Sequence, residues 1–125
     1  MKKQAVTTDK AAAPKAPYSQ GIVYGDLLFV SGAGPIDPET QKFISGTIEE
    51  EAEATLKNVQ NTVEAAGFSM DNLLKVTVFL KSNDDFARFN EVYKKYVPEP
   101  RPARSAVEVG LLFGIKVEIE AIAGR

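Results

Sequence analysis

Cysteine and histidine are both absent from this chain of 125 residues. Without cysteine there is no disulfide and no thiolate chemistry, which fits a reducing, cytoplasmic setting. Without either residue there is no ordinary zinc, copper or haem site, and a Ser-His-Asp triad cannot be built. A catalyst here must work with Arg, Lys, Asp, Glu, Ser, Thr, Tyr, Asn or backbone groups. No apolar run is long enough to cross a bilayer as a helix, so no membrane partner is expected. Met1-Lys2-Lys3-Gln4-Ala5-Val6 carries charge with no apolar block behind it, so no signal peptide is expected. An excess of positive charge is also lacking. The net charge is −2 and the pI near 5.2, so there is no global attraction to phosphate backbones, and nucleic acid is not expected as a partner.

What is present fits one globular domain spanning 1–125, with 44% hydrophobic and 26% charged residues. Gln4 to Thr8 reads as a short edge strand, and Ala11 to Pro17 as an extended loop. Gly21 to Tyr24, the turn pair Gly25-Asp26, and Leu27 to Ser31 read as a β-hairpin. Gly32 to Thr40 has loop and turn chemistry. Thr47-Ile48-Glu49-Glu50 is a capping box. It opens a helix whose stripe is Ile48, Ala52, Leu56, Val59, Val63 and Ala66, and Gly67 stops it. The Glu49-Glu50-Glu51 run reads as a solvated helix start.

Leu74 to Lys81 alternates as a strand, with Val76, Val78 and Leu80 on one face. A second helix opens near Asn83 or Asp84, with Phe86, Phe89, Tyr93 and Tyr96 on one stripe, read as core. Pro98, Pro100 and Pro102 end it. Ala103 to Val109 and Ile115 to Ala123 read as strands, and Gly110 and Gly114 between them suggest a closing hairpin. The fold class is therefore α+β: one mixed sheet with two helices on one face. The sets Ser105, Val107, Val109 and Val117, Ile119, Ala121 are expected against the helices. The opposite face is expected to carry Arg104, Ala106, Glu108, Glu118, Glu120 and Ile122 with Thr77 and Phe79. That mixture of apolar and charged groups favours cover by another subunit.

If the last two strands pair, Arg104 and Glu120 approach each other on the open face. A guanidinium is a two-pronged partner for a carboxylate, and a glutamate beside it can hold or deprotonate a water. The spacing leaves open whether this is a site for a small carboxylic acid or an ordinary cross-strand ion pair. Tyr18-Ser19 and Ser31-Gly32 could orient a ligand or simply cap turns. Asn90 sits mid-helix, where it is mildly unfavourable; that is compatible with a polar task or with plain exposure.

Pro17-Tyr18-Ser19-Gln20, Phe29-Val30-Ser31-Gly32, Val63-Glu64-Ala65-Ala66-Gly67, Val76-Thr77-Val78-Phe79-Leu80, Pro102-Ala103-Arg104-Ser105 and Val117-Glu118-Ile119-Glu120-Ala121 occur in this order. Together they resemble the RidA (YjgF) family from about Thr8 to the C-terminus. The resemblance implies a chorismate-mutase-like fold and a homotrimer with sheets packed inward, helices outward and clefts between subunits. It also implies a deaminase that hydrolyses 2-imino acids to 2-keto acids and ammonia without metal or cofactor. By position, Arg104 matches the arginine that grips the substrate carboxylate, and Glu120 the acid that positions water. Tyr18, Ser31 and Gly32 match cleft-lining positions, and Asn90 matches a recurrent helix asparagine. Ala106 stands where cysteine is frequent, keeping the backbone donor without the thiol. Phe113-Gly114 replaces a Pro-Lys-type turn. Binding of a small carboxylate as a regulator, and the ribonuclease or translation-inhibitor label of some relatives, are the alternatives.

Overall fold

A computed structural model describes all residues, 1–125. Eight strands and two helices run in the order β1 (Gln4–Val6), β2 (Gly21–Tyr24), β3 (Leu27–Ala33), β4 (Ile36–Asp37), β5 (Lys42–Phe43), α1 (Ile48–Ala65), β6 (Leu73–Leu80), α2 (Phe86–Tyr96), β7 (Ala103–Glu108) and β8 (Val117–Gly124). Six strands form one sheet in the order β1-β2-β3-β8-β6-β7, and β4 and β5 form a separate small hairpin, β4 falling within the Gly32–Thr40 stretch that reads as loop from sequence. β6 and β7 are parallel, and every other pair is antiparallel.

Both helices lie on one face of the six-stranded sheet, as the periodicities predict. Thr47 caps α1 through the full capping box: its hydroxyl accepts from Glu50 N, and Glu50 Oε1 accepts from Thr47 N. Ile48, Ala52, Leu56, Val59 and Val63 bury one stripe of α1 in a core shared with Leu28, Val30, Val76, Val78, Val117, Ile119 and Ala121, with α1 closest to β8 and β3. Gly67 takes φ +82 just past the end of the helix, where a side chain would be strained.

The closing hairpin does not exist. β7 pairs with β6, not with β8, and β6 runs between them. The β6-α2-β7 unit is a parallel crossover, whose helix returns the chain to the edge beside its first strand. The 109–116 segment then steps across the end of β6: Val109 N donates to Leu80 O at 2.8 Å, and Lys81 N donates to Lys116 O at 3.0 Å. Glycines flanking a connection cannot distinguish that step from a hairpin turn.

The face assignment of β7 is corrected as well. Arg104 and Ala106 stand beside the core residues Val76 and Val78, so they point toward the helices. Ser105 and Val107 stand beside Thr77 and Phe79 on the open face, and Val107 and Val109 are exposed. Apolarity misassigned this strand because it is the sheet edge, where neither face is fully covered. In β8 the expected alternation holds: Val117, Ile119 and Ala121 are buried and Glu120 is exposed.

Glu51 is also a correction. It is 2% exposed, and its carboxylate accepts from Lys116 N at 2.8 Å and Lys116 Nζ at 3.2 Å. A buried carboxylate requires such partners. It ties the start of α1 to the approach of β8.

Candidate functional site

Arg104 sits on the edge strand with its side chain against the face of α2 that carries Phe86, Asn90 and Tyr93. Its Nη1 donates to Asn90 Oδ1 at 2.9 Å. Its guanidinium carbon lies 4.7 Å from the Tyr93 ring centroid and 5.6 Å from that of Phe86, within cation–π range. The four salt bridges of the chain leave Arg104 out. Arg104 is thus half-buried and oriented by three neighbours, with most of its donors free. An open hollow of about 300 Å³ lies beside it, lined by Asn90, Tyr93, Arg101 and Arg104 among others.

The sequence pointed to Asn90 but assigned Phe86 and Tyr93 to the core. Phe86, Asn90 and Tyr93 fall at i, i+4 and i+7, one helical face. A polar residue within an otherwise apolar stripe was the available signal. Phe86 is 42% exposed, so it is no core residue, whereas Tyr93 is 6% exposed. The Tyr93 hydroxyl is buried without a hydrogen-bond partner. Burial pushes its pKa up, and the positive Arg104 and Arg101 offset this in part.

Glu120 lies elsewhere. It pairs across from Thr77 on the open face and lines a 220 Å³ hollow with Phe29, Lys75, Thr77 and Ile122. Arg104 is two strands away, ~10 Å at ordinary strand spacing, and on the opposite face of the sheet. Within one protomer, therefore, the two do not meet. Glu118, on the same face as Glu120, has its pKa raised by burial and then by the Glu120 charge.

Tyr18, Ser31 and Gly32 come together at a third place, a small hollow where β3 bulges. The bulge interrupts the β3–β8 register between Val30 and Ala33 and so re-aims Ser31 and Gly32. Ser31 Oγ donates to Ser19 O at 2.5 Å, and Ser31 N to Gln20 O at 3.1 Å. Buried Gln20 pins the preceding arm by accepting from Thr8 N and donating to Thr8 O and Ala12 O. Tyr18 is 52% exposed. A Cβ on Gly32 would fall 2.3 Å from Glu118 Oε2, so glycine lets that carboxylate lie against the backbone. Ala106 packs at the margin of the core behind Arg104. No group of three or more Asp and Glu residues is arranged to hold a metal ion, and no helix is long and apolar enough to cross a membrane.

Residues 8–124 match the family model described as Endoribonuclease L-PSP. The chain belongs to this family, the RidA (YjgF) family. Among RidA-family relatives, the chloroplastic Reactive Intermediate Deaminase A of Arabidopsis thaliana is 43% identical over 124 residues, covering 98% of this chain and 66% of that protein. The crystal structure of RidA from an Antarctic Psychrobacter matches with a TM-score of 0.94 at 40% identity, covering 98% of this chain and 99% of the other. That of Escherichia coli TdcF with bound serine matches with a TM-score of 0.92 at 38% identity, covering 98% of both chains. The six-stranded main sheet with two helices on one face is the RidA fold.

Proposed function

We propose that this protein is a cytoplasmic homotrimeric deaminase that hydrolyses reactive 2-imino acids to 2-keto acids and ammonia. The observation that carries the reading is Arg104: a guanidinium held by Asn90 and Tyr93, free of any ion pair, beside an open hollow. Such a group binds a small carboxylate through charge-assisted, two-pronged hydrogen bonds. The deaminase name of the Arabidopsis relative and the serine bound to TdcF support a small amino-acid-derived ligand.

In the proposed reaction an enamine tautomerises to the imine in solution. Arg104 holds the carboxylate and so orients the C=N carbon. A water held by Glu120 attacks that carbon, its proton passing to nitrogen. The carbinolamine then expels ammonia and leaves the keto acid. Imines already hydrolyse in water, so positioning and base assistance suffice, the latter contributing about 10²–10⁴-fold.

Because Arg104 and Glu120 lie on opposite faces of one sheet, one site needs Arg104 of one protomer and Glu120 of another. The open face supports the assembly: Leu27, Phe29 and Val107 are exposed there, with half-buried Phe79 and Ile122 between them. Tyr18, Ser31 and Gly32 line the cleft, with the Ala106 backbone as a further donor.

The test couples a 2-aminoacrylate-producing dehydratase to keto acid release. The expected result is faster release with the wild type and none above background with Arg104→Ala. Equal acceleration by the variant would reject the assignment. Keto acid binding without acceleration would make the protein a carboxylate-binding regulator instead. RNA cleavage that survives stringent purification and vanishes with Arg104→Ala would restore the ribonuclease reading.

A further inference from the structure

We propose that the hollow beside Arg104 contains a second anion subsite built on Arg101, which makes dicarboxylic 2-imino and 2-oxo acids preferred ligands of the site. This rests on the reading of Arg104 as the carboxylate anchor and extends it to the substrate class.

Four charged side chains line the hollow. Lys94 and Glu91 neutralise each other through a 3.0 Å salt bridge. Arg101 and Arg104 remain, and neither has a carboxylate partner. Arg101 uses its Nε to donate to Val97 O at 2.7 Å, at the end of α2. That bond orients the guanidinium and leaves its terminal nitrogens free. Arg104 is oriented in the same way by Asn90. Two fixed, uncompensated guanidiniums thus share one cavity in a chain whose net charge is −2. Like charges placed together repel, and an anion bridging them removes that repulsion.

Tyr93 supplies an independent observation. Its hydroxyl is buried beside Arg104, its proton has no acceptor, and its side chain lines the same hollow. Buried polar groups are almost always satisfied. A carboxylate settling between the arginines, with a small shift of their side chains to uncover the hydroxyl, would accept this hydrogen bond and end the deficit. A monocarboxylate on Arg104 leaves Arg101 unused, whereas a dicarboxylate engages both. One further charge-assisted contact corresponds to roughly tenfold in affinity.

Calorimetry on the full-length protein with 2-oxoglutarate and 2-oxobutyrate decides the matter. The wild type is expected to bind 2-oxoglutarate about tenfold more tightly, with the ratio collapsing toward one in Arg101→Gln and recovering in Arg101→Lys. Circular dichroism confirms that each variant is folded. A wild type without the preference, or an Arg101→Gln protein that keeps it, overturns the subsite. The binding ratio does not depend on turnover. A preference that holds while 2-aminoacrylate hydrolysis is not accelerated would sink the deaminase reading and leave the subsite standing.

Discussion

Arg104 shows how a guanidinium can be held in place and still stay free of ion pairs. An arginine beside a strand of alternating apolar residues would ordinarily be closed by a carboxylate. Here its neighbours are an amide and two rings, which orient without neutralising. Arg104→Lys is therefore not conservative: it keeps the charge but loses the fork. Its expected effect is a rise in KM of tenfold or more, read in the coupled assay. Tyr93 separates into two functions. Tyr93→Leu removes the ring under the guanidinium and should lower kcat/KM by about tenfold, given ~1–2 kcal/mol for a partly desolvated cation–π contact. Tyr93→Phe keeps the ring and removes the unsatisfied hydroxyl. It should leave the ligand-free protein as stable as the wild type or more stable by about 1 kcal/mol, measured by urea unfolding.

Among elements, α1 is the anchor of the fold. Its apolar stripe was readable from spacing, but the tie at its first turn was not. Glu51 belongs to a run of three glutamates that share one helix start. Only one of the three points inward, because the helix rotates by a fixed angle per residue and the strand β8 arrives on that side. Leu56→Ala, at the middle of the stripe, should cost about 2–5 kcal/mol in urea unfolding. Glu49 points outward to Arg88 of α2, whose guanidinium holds its pKa at about 2. In Arg88→Ala, the Glu49 carboxyl should return to the ordinary carboxylate range by NMR titration. The pair is about half exposed to solvent, so the effect should fade with added salt.

On the open face, Glu118 behaves in the opposite sense. Its folded pKa is raised above the ordinary value, so it favours folding most below the unfolded pKa. That contribution disappears as pH rises through the folded value. Glu118→Gln should accordingly gain stability relative to the wild type near neutral pH, with the difference shrinking toward about pH 4. The residue is only partly buried, so the gain is small. Urea unfolding of both proteins at the two pH values checks its sign.

For the molecule as a whole, the proposed reaction ties function to assembly. Arg104 and Glu120 are on opposite faces, so under that proposal each protomer contributes one of them to a given cleft. Phe29→Glu, which charges the open face, should give monomers in sedimentation and abolish deaminase activity while Arg104 is untouched. Refolding a mixture of Arg104→Ala and Glu120→Ala chains should restore measurable activity, since some clefts then receive both intact residues. A mixture as inactive as either parent would mean that both groups come from one chain.

Local patterns were sufficient for the two helices, the strands of the main sheet, the capped first helix, the β2–β3 hairpin and the family, but not for the short β4–β5 hairpin. Each of those depends on residues close together in the chain. The motif containing Arg104 and the one containing Glu120 were legible for the same reason. Their relation in space was not, because strand order and the facing of an edge strand depend on pairing between distant segments. A hairpin and a crossover across β6 place the same glycines at the same spacing. Only the packed sheet decided that β6 intervenes, that Arg104 turns toward α2, and that Glu51, Phe86 and Tyr93 acquire the surroundings they have.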